Sequence, residues 1–242
     1  MGNRGSLVPD PNVDATLYYF EGRGRADQIR WLLAATGLTF VQRSIDTHAK
    51  FKMVKASLPF GRIPYLQIDG IGLVESQSIL RYLAKRAGID GKTELEKTVS
   101  DVYVESIRDM LIPVMRAPFM RYEYKNNDEK LSEFQQSMHD TFMNDASKFE
   151  QILTRNGGLF LVGENMTWAD ILLVHALTWY VEELGTHIMQ PFSALIDLQN
   201  SIINIPNIRR FIRSTLFYHI GGDEYCKCVE VSLGRERKKT IT

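Results

Sequence analysis

Residues 60–76, Phe60-Gly61-Arg62-Ile63-Pro64-Tyr65-Leu66-Gln67-Ile68-Asp69-Gly70-Ile71-Gly72-Leu73-Val74-Glu75-Ser76, hold the residue types and spacing that point most directly to chemistry. Pro64 opens a strand and cannot donate to a sheet ladder, so it fits only at an edge or first position. The extended residue before it, Ile63, keeps a backbone N–H and C=O that the sheet leaves unpaired, and an extended peptide lying alongside can use them. Glu75-Ser76 then begins a helix whose first N–H groups lack intrahelical partners and whose dipole end is positive, which suits a carboxylate. One short stretch therefore supplies a docking edge and an anion site, a seat for a small peptide that carries a carboxylate.

The elements that must position this seat are legible on both sides of it. Residues 1–14 lack periodicity and read as a flexible arm. Thr16 to Phe20 reads as a strand, Glu21-Gly22-Arg23-Gly24 as a loop, Arg25 to Thr36 as a helix stopped by Gly37, and Thr39 to Ile45 as a second strand. Those three elements make one right-handed βαβ unit. His48 to Ala56 is a polar helix or loop. Tyr65–Ile68 and Leu73-Val74 flank the hairpin turn Asp69-Gly70, and a helix runs on to about Ala87. The order β-α-β-α-β-β-α is that of a thioredoxin-like domain over residues 15–90, and Gly88 to Thr93 is a polar linker.

Residues 94–215 read as helix throughout. Val99, Val102, Tyr103, Met110, Leu111 and Val114 form one apolar stripe, in which Pro113 and Pro118 should kink or end the helix. Leu131, Phe134, Met138, Phe142, Phe149 and Leu153 form another. Trp168 to Leu184 is apolar almost all round and should be the buried central helix, opened by the capping box Thr167-Trp168-Ala169-Asp170. Two shorter helices follow, and residues 216–242 read as a disordered, chemically idle tail with basic residues near its end.

The chain has 242 residues and a formal net charge of zero, which suits two domains and argues against nucleic acid or an anionic membrane as a bulk electrostatic partner. No stretch reaches the roughly 18 unbroken apolar residues of a membrane span. The N-terminus lacks the apolar core of a signal peptide, so a cytoplasmic location is expected. The only cysteines are Cys226 and Cys228, with no Cys-x-x-Cys, which argues against thiol–disulfide oxidoreductase chemistry. The glycines of 22–24 do not follow Gly-x-Gly-x-x-Gly, so no dinucleotide fingerprint is present. Met1-Gly2-Asn3-Arg4-Gly5-Ser6 matches the N-myristoylation pattern, and weak membrane association is expected only if Gly2 is acylated. Tyr225-Cys226-Lys227-Cys228 offers a redox site or a palmitoylation site, the latter a second membrane signal beside Gly2 acylation.

A thioredoxin-like domain without Cys-x-x-Cys, a proline-opened strand, Glu-Ser at the next helix and an all-helical second domain resemble the cytosolic glutathione transferases. Within them the likeness is to the sigma class, which includes glutathione-dependent prostaglandin D synthases, with pi and alpha next. It is carried by residues 18–26 (Tyr-Tyr-Phe-Glu-Gly-Arg-Gly-Arg-Ala), 58–64 (Leu-Pro-Phe-Gly-Arg-Ile-Pro), 75–83 (Glu-Ser-Gln-Ser-Ile-Leu-Arg-Tyr-Leu) and 161–170 (Leu-Val-Gly-Glu-Asn-Met-Thr-Trp-Ala-Asp). Four motifs in the right order span residues 15–215.

The resemblance implies a homodimer that takes glutathione as co-substrate, uses no metal, and adds the thiolate to small hydrophobic electrophiles. The family's catalytic tyrosine falls on Tyr19. A thiol with a pKa near 8.5 is mostly protonated at neutral pH, and a phenol hydroxyl aimed at the sulfur stabilises the thiolate. Tyr18 is the rival, and the six-residue spacing to Arg25 favours Tyr19. Adjacent strand residues face opposite sides, so one of the two points into the site. Arg25 matches the arginine near the glutamyl group and the sulfur. Lys55 falls where a lysine meets the glycine carboxylate, and Phe51 stands where sigma enzymes place an indole donor that phenylalanine cannot replace. Arg62 adjoins the docking edge, Ile63 should pair with the cysteinyl residue, and Pro64 should be cis. Glu75 and Ser76 should hold the γ-glutamyl end, helped by Asp109 of a partner subunit. The second substrate should lie against Met110, Val114, Met115 and Phe119. Two alternatives share this site: a glutathione-dependent isomerase or peroxidase, and a non-catalytic carrier or scaffold of the same fold.

Overall fold

The computed structural model describes Leu7 and residues 10–234. Four strands form one sheet in the order β2-β1-β3-β4: β1 is Ala15–Tyr19, β2 Phe40–Ser44, β3 Tyr65–Ile68 and β4 Ile71–Val74. β1 runs parallel to β2 and antiparallel to β3, with Leu17 opposite Leu66 and Tyr18 opposite Tyr65. The alternation of β1 sorts its two phenols. Leu17 and Leu66 are fully buried on one face, which Tyr19 shares, while Tyr18 lies on the other beside Tyr65 with ring centroids 5.5 Å apart. The β3–β4 turn has Asp69 at φ 51° and Gly70 at φ 74°, the paired positive dihedrals that a two-residue hairpin of matching twist needs.

Around the sheet pack α1 (Asp27–Ala35), α2 (His48–Ser57) and α3 (Ser76–Ala87). The segment between β2 and β3 is thus a true helix, capped by Thr47, whose side chain accepts the N–H of Lys50. The helical half consists of α4 (Glu94–Glu123), α5 (Asp128–Arg155), α6 (Trp168–Leu184), α7 (Ser193–Ile203) and α8 (Pro206–Ile212). A further helix, α9 (Asp223–Leu233), follows. The expected span of α6 is met, and Asp170 accepts the backbone N–H of Thr167 at 2.7 Å and its hydroxyl at 3.0 Å. α6 is apolar all round because α1, α4 and α7 surround it.

One expectation is narrowed here and one corrected. Pro113 and Pro118 do not end their helix: α4 runs 30 residues through both. Each proline removes one backbone donor, and packing of α4 along α6, where Tyr180 donates its hydroxyl to the Met110 carbonyl at 2.7 Å, outweighs that loss. Residues 216–234 are not a disordered tail. α9 packs against α2 and α4, and its Ser232 hydroxyl donates to the Ile45 carbonyl at 3.3 Å. Gly2 lies outside the described residues.

Candidate active site

A cleft of about 420 Å³ opens where the end of β1, the start of β3 and the start of α3 meet, lined by Phe20, Arg25, Phe51, Gly61, Arg62, Ile63, Pro64, Glu75, Ser76 and Leu233. Seven residues chosen from the sequence are brought together here: Arg25, Phe51, Arg62, Ile63, Pro64, Glu75 and Ser76. The Ile63–Pro64 bond is cis, as expected, and both residues line the cleft ahead of β3. Glu75 has φ 65° and ψ 106°, a conformation rare for a residue with a side chain. It brings the carboxylate of Glu75 and the first N–H groups of α3 to the same wall. Strain of this kind is kept where the surroundings enforce it, and it concentrates at binding sites. Arg62 and Glu75 approach to 3.6 Å across the mouth, both exposed, so the pair contributes little to stability.

Tyr19 lies behind this wall, nearly buried at 7% exposure. Its hydroxyl oxygen accepts the backbone N–H of Arg25 at 3.0 Å, so its own proton remains free to donate elsewhere. Burial raises the phenol above its ordinary value and outweighs the Arg25 N–H, which alone would lower it. The group is therefore a protonated donor at neutral pH. Tyr18, its rival, donates its hydroxyl to Oε1 of Gln67 at 3.1 Å on the opposite face of the sheet. Gly24, which in the sequence is only loop punctuation, is what lets the Tyr19 hydroxyl sit where it does. It has φ 45°, and a β-carbon there would lie 2.4 Å from that oxygen.

Behind the loop 21–26 is a buried polar cluster that the sequence did not single out. The fully buried Asp27 carboxylate accepts from Arg23 Nε (2.9 Å), Arg30 Nη1 (3.2 Å), Trp179 Nε1 (2.9 Å) and His175 Nε2 (3.0 Å). Arg23 also pairs with Glu182 at 2.6 Å and lies 4.2 Å over the Trp179 ring, while Arg30 donates to the Gly22 carbonyl at 2.8 Å. Burial would push the Asp27 carboxyl up, but the Arg23 charge, the His175 hydrogen bond and Arg30 hold it well below the carboxylate range. His175 is lowered by its burial, with Asp27 opposing, and is held neutral. The cluster pins the loop that carries Arg23, Gly24 and Arg25 onto α6. Its sequence signal was present, since Asp27, Arg30, His175 and Trp179 are polar or amphipathic groups on apolar helix faces, but their convergence was not.

The last wall is α9. Leu233 lines the cleft, and the Tyr225 ring lies on Gly22 and Gly221 and meets Phe119 at a tilt with centroids 5.7 Å apart. A β-carbon at Gly22 would meet that ring at 2.2 Å. Tyr225, Cys226, Val229 and Leu233 recur at helical spacing, with two acids in the first turn and Gly234 at the left-handed C-cap, a signal that was readable. Some predicted residues lie apart from the cleft. Lys55 is exposed with its stem along Gly61 and its Nζ 6.0 Å from the Phe51 ring, and is not among the lining residues. Asp109 is exposed on α4 and paired with Arg108 at 2.9 Å. Met110 and Val114 are a correction: both are fully buried on the core side of α4 and present no surface to a substrate. Met115 and Phe119, half-buried, are the members of that wall nearer solvent.

Known proteins share this arrangement. Residues 15–85 match the model "Glutathione S-transferase, N-terminal domain", and residues 113–215 match "Glutathione S-transferase, C-terminal domain". The mouse protein "Glutathione S-transferase A4" is 35% identical over 199 residues, 81% of this chain and 87% of that one. The chain belongs to the glutathione S-transferase family. A second relative of this glutathione S-transferase, the rat "Glutathione S-transferase alpha-4", is 34% identical over 203 residues, 83% of this chain and 89% of that one. Among solved structures, prostaglandin synthase D of Nilaparvata lugens covers 83% of this chain and 98% of its own at a TM-score of 0.65 and 23% identity, a likeness of fold. Within this family member, Tyr19, Arg25 and every cleft residue but Leu233 fall inside the first matched region, while α9 lies beyond the second.

Proposed function

We propose that this transferase conjugates glutathione to small hydrophobic electrophiles, with Tyr19 holding the reacting sulfur as a thiolate. The observation that carries the reading is the Tyr19 hydroxyl: its oxygen is occupied by the Arg25 N–H, its proton is retained, and Tyr18 is engaged on the other face. A phenol O–H donated to sulfur lowers the thiol pKa from its ordinary value near 8.5, and the positive Arg25 adds to the effect. The thiolate attacks the electrophile directly. The S–C bond forms as the displaced group leaves with its electron pair, or as a conjugated acceptor takes up the pair and then a proton.

The cleft suits the tripeptide. Glu75 accepts from the γ-glutamyl ammonium, while Ser76 and the first N–H groups of α3 meet its carboxylate. The Ile63 backbone pairs with the cysteinyl residue beside Pro64. Phe51 and Lys55 lie toward the glycine end, where Lys55 reaches the carboxylate by swinging off Gly61, while Arg62 closes the mouth of the cleft beside Glu75. The second substrate enters between Tyr19, Met115, Phe119 and α9. In this reading the enzyme is a cytoplasmic homodimer. Asp109, exposed here, would reach the partner's γ-glutamyl group, and Phe60, 68% exposed, is a further candidate for subunit contact. The A4 and alpha-4 relatives favour an alpha-series transferase over a sigma-class isomerase.

Conjugation of chlorodinitrobenzene by wild type, Tyr19→Phe and Tyr18→Phe tests the assignment. Loss of a donor aimed at developing charge costs about 10²-fold in kcat, so Tyr19→Phe should fall by that order while Tyr18→Phe stays near wild type. Equal rates in wild type and Tyr19→Phe would remove Tyr19 from the chemistry. Retention of wild type on immobilised glutathione without turnover of any electrophile would support a carrier instead.

A further inference from the structure

On the helical half, Arg209 and Arg210 of α8 and Arg213 just past its end face one depression of about 530 Å³, lined by these three with Asn204, Pro206 and Ser214. All three arginines are exposed, and none forms an ion pair among the described residues. Elsewhere the common fate of an arginine in this protein is a carboxylate partner: Arg23, Arg30, Arg43, Arg62, Arg81, Arg86, Arg108 and Arg121 all have one. The neutral side chains of the depression are already engaged. The Ser214 hydroxyl donates to the Phe211 carbonyl at 2.7 Å, and Asn204 Nδ2 donates to the Asn200 carbonyl at 2.9 Å. What the depression offers a ligand is therefore three guanidinium forks.

Like charges at i,i+3 and i,i+4 repel by a few tenths of a kcal/mol each. Arg209 and Arg210 sit in the last turn of α8, where the helix dipole favours cations, but that accounts for cations near the end of a helix rather than for three sharing one depression without a counter-charge. With the whole chain at net zero, this is a local concentration of positive charge. A guanidinium matches phosphate oxygens two at a time, and several around one hollow suit an anion with more than one negative charge. The depression shares no residue with the cleft.

We propose that the Arg209–Arg210–Arg213 depression binds phosphate monoester or polyphosphate groups, carried by a soluble phosphorylated compound or by a lipid headgroup, at a site separate from the glutathione cleft. Titration with inorganic tripolyphosphate, and co-sedimentation with phosphatidylcholine vesicles with and without a phosphatidylinositol bisphosphate, distinguish the two sources. The test variants replace all three arginines with glutamine or all three with lysine. Unchanged melting temperature and unchanged retention on immobilised glutathione show that each remains folded. Removing one charge-assisted hydrogen bond to the phosphate weakens binding about tenfold, so the glutamine variant should bind at least a hundredfold more weakly. The lysine variant, which keeps charge but has no forks, should fall between the two. Free tripolyphosphate binding that disappears in the glutamine variant assigns the site to soluble phosphates, and loss confined to the bisphosphate vesicles assigns it to a headgroup. Binding of neither probe, binding that survives in the glutamine variant, or undiminished binding by the lysine variant overturns the proposal.

Discussion

Replacing Asp27 by alanine should destabilise this protein far more than an ordinary single substitution. The carboxylate is fully buried and is the shared acceptor of Arg23, Arg30, His175 and Trp179. Its removal leaves two buried guanidiniums short of their counter-ion, although Arg23 keeps Glu182. Breaking a buried pair from one side costs about 3–5 kcal/mol, and about 2–4 °C of melting temperature goes with each kcal/mol in a chain of this size. The expected fall is therefore about 10 °C. Thermal unfolding followed by tryptophan fluorescence reads it well, because Trp179 touches the cluster itself. Asp27→Asn separates charge from hydrogen bonding, since the amide oxygen can still accept but the charge is gone. An Asn variant within about 1 kcal/mol of wild type would refute the ion-pair reasoning. Acid offers a second measurement of the same cluster. The folded carboxyl is held below its unfolded value near 3.9, so its contribution is complete above that pH and is lost as pH falls further. The deficit of Asp27→Ala relative to wild type should accordingly shrink below about pH 4.

Gly24→Ala places a β-carbon 2.4 Å from the Tyr19 hydroxyl at a position with φ 45°. Conjugation should fall toward the level of Tyr19→Phe while the affinity for immobilised glutathione changes less, and a variant with wild-type kcat would show that the loop accommodates the methyl freely. His175 is held neutral by burial, so the folded state loses stability as pH drops below its unfolded value near 6.5, by up to about 1.4 kcal/mol per unit. His175→Gln keeps an N–H donor for Asp27 and should flatten that part of the stability curve below about pH 6.5, whereas parallel melting curves for the two proteins would assign the acid sensitivity to other groups.

Much of the fold was readable from local patterns. The β3–β4 hairpin follows from Asp69-Gly70, the cis bond was expected at Pro64, and the buried α6 follows from an unbroken apolar run behind the Thr167–Asp170 cap. These features depend on dihedral preference, period and capping, which act over a few residues and leave their mark in sequence. Even α9 carried such a mark in Tyr225, Cys226, Val229 and Leu233.

By itself the sequence determined the strand edge at Ile63–Pro64, the helix start at Glu75–Ser76 and the pair of phenols at the end of β1. Only the tertiary structure showed what each phenol meets, Gln67 for Tyr18 and the Arg25 N–H for Tyr19, because those partners are set by how β1 pairs with β2 and β3. It also decided that Gly24 must be bare, that Met110 and Val114 belong to the core, and that Asp27 gathers partners from α1 and α6. Contacts between residues about 150 positions apart, such as Asp27 with His175 and Trp179, leave no periodic trace in either segment. They arise when two separately patterned faces are pressed together, and the buried charge is tolerated only because both faces contribute to it.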